Sequence, residues 1–150
     1  MKREEQANHF HDNGYNCCQA VVAAFSDVTG LTKEQSFAIG GGFGGGLRCG
    51  EVCGAVSGAI MVLSMCYPYT DHADRDSKNR IAHLTKEFHR RFQQEFCNMR
   101  CRDLLTMDLS EHPAIKAAES GEKINRCSLF IASATHIVEQ MLEDEQTGRL

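Results

Sequence analysis

Residues Gly40 to Gly46 read GGGFGGG, and neither a helix nor the interior of a paired strand can run through them. Glycine loses more conformational freedom on ordering than any other residue, and each one inside a helix costs about 1 kcal/mol relative to alanine. The run must be a loop, or a place where one stretch of backbone is crowded against another. Secondary structure is therefore read on either side of it.

On both sides the signals are helical. Val, Ile and Thr never alternate with polar residues for long, so no strand is expected, whereas cap signals and 3.6-residue periodicity recur. A first helix is expected from Arg3 to about His11. Asn16 with Gln19, and Thr32 with Gln35, are capping-box pairs. They open a helix from Cys17 to Gly30 and a short one to about Ile39. Gly50 is read as the cap of a helix over Glu51 to about Met65. The small residues Gly54, Ala55, Gly58 and Ala59 on that helix would let a neighbour approach closely. A long amphipathic helix should run from about Asp74 to Phe96, with Ile81, Leu84, Phe88, Phe92 and Phe96 on its core face. A turn at "CRDLL", a segment from Pro113 to Ser120 and a break at Gly121 follow. Asn125 should cap the last helix, with Ile124 and Leu129 as a hydrophobic staple. The reading is an all-α, compact single-domain bundle of about five to seven helices spanning residues 1–150.

Charge and length remove several classes of function. A net charge of −4 argues against nucleic acid as a partner, because phosphate binding needs a surplus of Lys and Arg. The N-terminal MKREEQANHF has no apolar h-region, so it does not read as a secretory signal. The longest apolar run, Val52 to Cys66, is about 15 residues, short of the roughly 20 that cross a bilayer. The expectation is a cytoplasmic protein with no membrane partner. A homo-oligomer is compatible with it.

Eight cysteines in such a chain then need a reason. In a reducing compartment they point to redox chemistry or metal binding rather than to a disulfide framework. Four of them fall at expected helix starts. Cys17 would be the first residue after the Asn16 cap, Cys53 the third after Gly50 and Cys127 the second after Asn125. Cys101 lies in or just before the first turn of "CRDLL". A first helical turn offers unpaired N–H groups and about half a positive charge, which favours thiolate over thiol. Arg100, Arg102 and Arg126 adjoin two of the four and should act in the same direction. Cys53 is the expected activated thiol. Cys49, four residues before it, is a candidate resolving thiol, and Cys97 has the same spacing to Cys101. Cys66 reads as core.

Other motifs carry less. GGGFGG fits G-x-G-x-x-G as a string, but it follows a helix and has no βαβ unit around it, so dinucleotide binding is set aside. The absence of any C-x-x-C removes zinc-ribbon and ferredoxin spacings and covalent haem attachment. Four scattered thiolates converging in a bundle would still suit zinc or an iron–sulfur cluster. The seven histidines form no H-E-x-x-H pair and read as surface residues.

The segments "GYNCCQAV", "GGFGGGLRCGEVCGAVSGA", "CRDLL" and "NRCSLF" together resemble the redox-active protein family named for its C_GCAxxG_C_C pattern. The resemblance runs from about Tyr15 into the last helix, with Cys53-Gly54-Ala55 and Gly58 as its strongest element. It carries the family's four cysteines onto Cys17, Cys53, Cys101 and Cys127, the same four chosen by helix position. It implies a small helical protein with a redox role and names no substrate. Its relatives include split-Soret haem cytochromes, whose attachment motif this chain lacks. The expected function is thiol–disulfide exchange or electron transfer, in the manner of a thiol–disulfide oxidoreductase with an unidentified redox partner. Cys17, Cys53, Cys101, Cys127 and Cys49 would carry it, with no cofactor. The alternative is a zinc or iron–sulfur protein with Cys17, Cys53, Cys101 and Cys127 as ligands.

Overall fold

A computed structural model describes residues 1–118 and 125–150. The helices are α1 (Arg3–Asp12), α2 (Cys17–Ala24), α3 (Ser26–Thr29), α4 (Lys33–Gly40), α5 (Gly54–Cys66), α6 (Arg75–Phe96), α7 (Cys101–Leu104), α8 (Pro113–Ala117) and α9 (Arg126–Gln146), with a π turn at Gly46–Gly50. The fold is all-α, as expected. Among the described residues the sole β pairing is an isolated antiparallel bridge between Val52 and Arg100. Among the described residues the ten helical elements exceed the expected five to seven, and six of them have at least seven residues. The surplus is single turns, too short to show periodicity. The Gly121 break and the Ile124–Leu129 staple lie outside the described residues.

The side-chain cap signals are met. Gln19 N–H donates to the Asn16 side chain (2.9 Å) and Asn16 N–H to the Gln19 side chain (3.0 Å). Thr32 and Gln35 repeat the exchange at 3.0 and 2.9 Å. Asp74 caps α6 and Asn125 caps α9. The helix expected from Cys17 to Gly30 is broken at Phe25, which leaves helical geometry (φ −107°, ψ 18°), and resumes as α3.

Helix α5 lies at the centre, packed against α2, α6 and α9, with Ala55, Val56, Ala59, Val62 and Leu63 fully buried. Its small residues set how near α2 comes. A Cβ on Gly58 would stand 3.0 Å from the Cys18 carbonyl oxygen and 3.2 Å from Val21 Cβ. Helix α6 buries Leu84, Phe88, Phe92 and Phe96 on one face. Ile81 is only half-buried and instead lines an open apolar cleft with Ile39, Ile60 and Met65. The aromatic row continues across helices: Phe92 and Phe96 lie 4.9 Å apart, and Phe96 meets Phe130 of α9 edge-on at 5.0 Å. Arg91 joins α6 to α9 by donating to Asp144 at 2.9 Å. Among the described residues no helix is long and apolar enough to cross a membrane.

Candidate redox site

Four chain segments meet at the far end of that aromatic row. Cys17, Cys53, Cys101 and Cys127 line one cavity of about 110 Å³, closed by Gly45, Gly54, Leu104, Leu105 and Phe130. With an apolar wall and thiols as its polar groups, the cavity is a place where sulfur meets sulfur with little water between.

Two of the thiols arrive on capped helices. Cys17 is the first residue of α2 after Asn16. Cys127 is the second of α9, and its N–H donates to the Asn125 side chain at 2.8 Å. Their sulfurs lie within 4.8 Å of one another. The Cys17 thiol beside it pulls Cys127 down to about 7 from its ordinary value, against the opposing effect of burial. Cys17 moves the other way, because it faces the Cys127 sulfur and is buried beside other thiols. Of the two, Cys127 is the sulfur that ionises first.

The other two arrive differently. Gly50 is not a cap: its φ of +72° belongs to the end of the π turn, and α5 begins at Gly54 with Cys53 itself at the N-cap. The Val52–Arg100 bridge holds residues 51–53 extended. Cys53 N–H donates to Met99 O at 2.8 Å and Cys101 N–H to Glu51 O at 2.7 Å. Residues flanking a bridge position share the face opposite it, so both thiols turn to the same side. Gly46 is crowded by this pairing, and a Cβ there would stand 2.8 Å from Cys101 Cβ.

Cys53 is not the activated thiol that its sequence position suggested. It is buried, and desolvation pushes it up to about 11 even though the Ala55 and Val56 N–H groups pull the other way. Cys101 is also raised, first by burial and then by the charge of Cys127. The arginines act elsewhere. Arg102 donates to the carbonyls of Cys49 (2.9 Å) and Gly50 (3.1 Å) and to Glu51 (2.9 Å). Arg126 donates to the carbonyls of Leu104 and Met107, and Arg100 to Glu51.

The remaining cysteines stay outside the cavity lining. Cys49 is exposed on the π turn, its thiol 3.6 Å from Gly46 O. Cys97 is exposed at the left-handed end of α6 (φ +64°). Cys18 is buried with its thiol 3.7 Å from the Met61 sulfur, and Cys66 lies 3.9 Å from Val28 O.

The family model described as "Putative redox-active protein (C_GCAxxG_C_C)" matches residues 15–141. The chain belongs to the C_GCAxxG_C_C family. No curated protein and no solved structure matches it. The family match encloses all four cavity cysteines and begins after α1, so it leaves out a residue that reading by spacing also passed over. His11, in the last turn of α1, brings a ring nitrogen within 4.8 Å of both the Cys17 and Cys127 sulfurs. A signal for it does exist in the sequence: His11 lies four residues after Ala7, the fully buried residue of a mostly polar helix. That spacing puts it on the core-facing side.

Proposed function

We propose that this C_GCAxxG_C_C protein performs two-electron thiol–disulfide exchange, with Cys17 and Cys127 as the reacting pair. The observation that carries the reading is the convergence of four thiols from separate segments on one small cavity, with these two sulfurs within 4.8 Å of each other. The Cys127 thiolate attacks a sulfur of a partner disulfide, and the partner's second sulfur leaves as thiolate. The Cys17 thiol then loses its proton and attacks the Cys127 sulfur of the mixed disulfide. The products are a Cys17–Cys127 disulfide, one partner thiol and one partner thiolate. Two electrons move to the partner, and the proton that Cys17 held ends there. Cys53 and Cys101 wall the same cavity and would remain thiols through this exchange, as would Cys49, exposed on the π turn.

The test is a thiol count. Equilibration of reduced protein with oxidised glutathione should remove two free thiols per chain, and dithiothreitol should restore them. The loss should vanish in Cys17→Ser and Cys127→Ser and persist in Cys66→Ser. An unchanged count in the wild type contradicts the reading. A second reading, metal binding at these thiols, is favoured by one observation, the approach of His11.

A further inference from the structure

His11 is held in place by contacts on both sides. One turn before it, the Asn8 side chain donates to Ser128 O at 3.2 Å, which ties α1 to the first turn of α9 beside Cys127. After it, Tyr15 N–H donates to Phe10 O at 3.2 Å, and the Phe10 and Tyr15 rings meet edge-on at 6.3 Å. That closes the turn leading to Cys17. Ala7 on the same face is fully buried where α1 packs on α2 and α9. The imidazole is thus delivered to the two sulfurs by backbone that is fixed at both ends.

Two sulfurs and one imidazole nitrogen, all mutually within 4.8 Å and with no carboxylate among them, are a donor set of defined softness. Zinc bonds run about 2.3 Å to thiolate and about 2.0–2.1 Å to imidazole, so tetrahedral ligands stand roughly 3.4–3.8 Å apart. Side-chain rotation alone can close that difference. Soft and borderline donors select zinc over magnesium or calcium, which take oxygen. Three protein ligands leave a fourth position for water or an incoming thiol.

We propose that His11, Cys17 and Cys127 form a three-ligand site for a borderline divalent cation such as Zn²⁺, occupied only in the reduced protein. The redox dependence rests on the thiol–disulfide reading; the binding itself does not. A sulfur in a disulfide has no thiolate to give a metal. Reaction of the loaded site with a partner disulfide therefore yields the Cys17–Cys127 disulfide, two partner thiolates and a free Zn²⁺. The two electrons pass to the partner's sulfurs and the charge balances. In the reduced state the ion would keep both thiols from adventitious oxidation.

The experiment uses the full chain, reduced, stripped with a chelator under anaerobic conditions and titrated with Zn²⁺ against a competing dye. Co²⁺ serves as a spectroscopic stand-in. One equivalent should bind, with thiolate-to-cobalt charge-transfer absorbance. His11→Ala should weaken Zn²⁺ binding by at least roughly tenfold, since changes merely behind a ligand already cost 10–100-fold. His72→Ala, at a fully exposed histidine, should leave it unchanged. His11→Gln gives a second reading if the alanine variant loses its helical circular dichroism. Wild-type affinity in both His11 variants overturns the site, as does the absence of any stoichiometric binding. Prior oxidation should abolish binding. If two thiols are lost on oxidation yet no metal binds the reduced chain, the metal site falls and the redox reading stands. If metal binds through His11 but no thiols are lost, the site stands, and both its redox control and the redox reading fall.

Discussion

Cys17 and Cys127 enter the cavity on the first turns of capped helices, whereas Cys53 and Cys101 are drawn in by two backbone hydrogen bonds between loop segments. The two halves of one site therefore have different chemistry. In the helix-borne pair Cys127 is lowered to about 7 by the neighbouring Cys17, whose own thiol is raised. The bridge-borne pair is desolvated and protonated. Helix position alone does not activate a thiol. Cys53 sits at the cap of the buried 13-residue α5 and is still raised, because burial outweighs the N–H groups aimed at it.

The largest expected effect is on reactivity. Between thiols at about 7 and about 11, the thiolate fraction at neutral pH differs by several thousandfold. The greater nucleophilicity of the more basic sulfur returns roughly half of that on a logarithmic scale, leaving about a hundredfold. In metal-free reduced protein, iodoacetamide labelling followed by peptide mass spectrometry should show Cys127 rising through a midpoint near pH 7. Cys53 should trail it by about that factor and still be rising at pH 10. Equal rates would erase the distinction between the halves.

A substitution in the π turn should disturb only the bridge-borne half. Gly46→Ala combines a left-handed φ of +62° with a Cβ that would run into the Glu51 carbonyl oxygen and stand 2.7 Å from Glu51 N and 2.8 Å from Cys101 Cβ. It should lower unfolding free energy by about 2–4 kcal/mol in urea titration. Gly45→Ala has a similar φ but nothing within 4 Å, and should cost only about 1 kcal/mol. Equal losses would mean that backbone strain, not crowding against Glu51 and Cys101, sets the cost. In neither variant should the oxidisable pair change.

Smaller again is the loss of a cap. Asn16 accepts from Gln19 N–H and donates to the carbonyls of Gly40 (3.1 Å) and Gly41 (3.2 Å). Asn16→Ala should cost about 1–2 kcal/mol by the same titration. Asn125→Ala loses only bonds within its own helix start and should cost about 1 kcal/mol.

The contrast between the halves also explains what could be read from the sequence. Asn16, Thr32, Asp74 and Asn125 act on residues two or three positions away, so their helices, and the places of Cys17 and Cys127, were legible. The aromatic face of α6 was legible for the same reason. Cys53 was misplaced because its geometry depends on Arg100, 47 positions along the chain, through a single bridge that no local pattern announces. The glycine run was read as a loop or crowded backbone, and Gly40, Gly44 and Gly46 are crowded, but the left-handed turn at Leu47 and Arg48 just after it, and Arg102 reaching the carbonyls of Cys49 and Gly50, had no local signal. His11 was passed over because motif spacing says nothing about a histidine whose partners lie on two other helices.

The central claim is that Cys17 and Cys127 are the partners in oxidation. Its most direct measurement is a non-reducing peptide map of the full chain after one two-electron oxidation, with the remaining thiols blocked at low pH to prevent exchange. A Cys17–Cys127 linked peptide should be the main product, with Cys53 and Cys101 alkylated only after unfolding. A map dominated by Cys53–Cys101, or by Cys49 or Cys97 joined between chains, would contradict it.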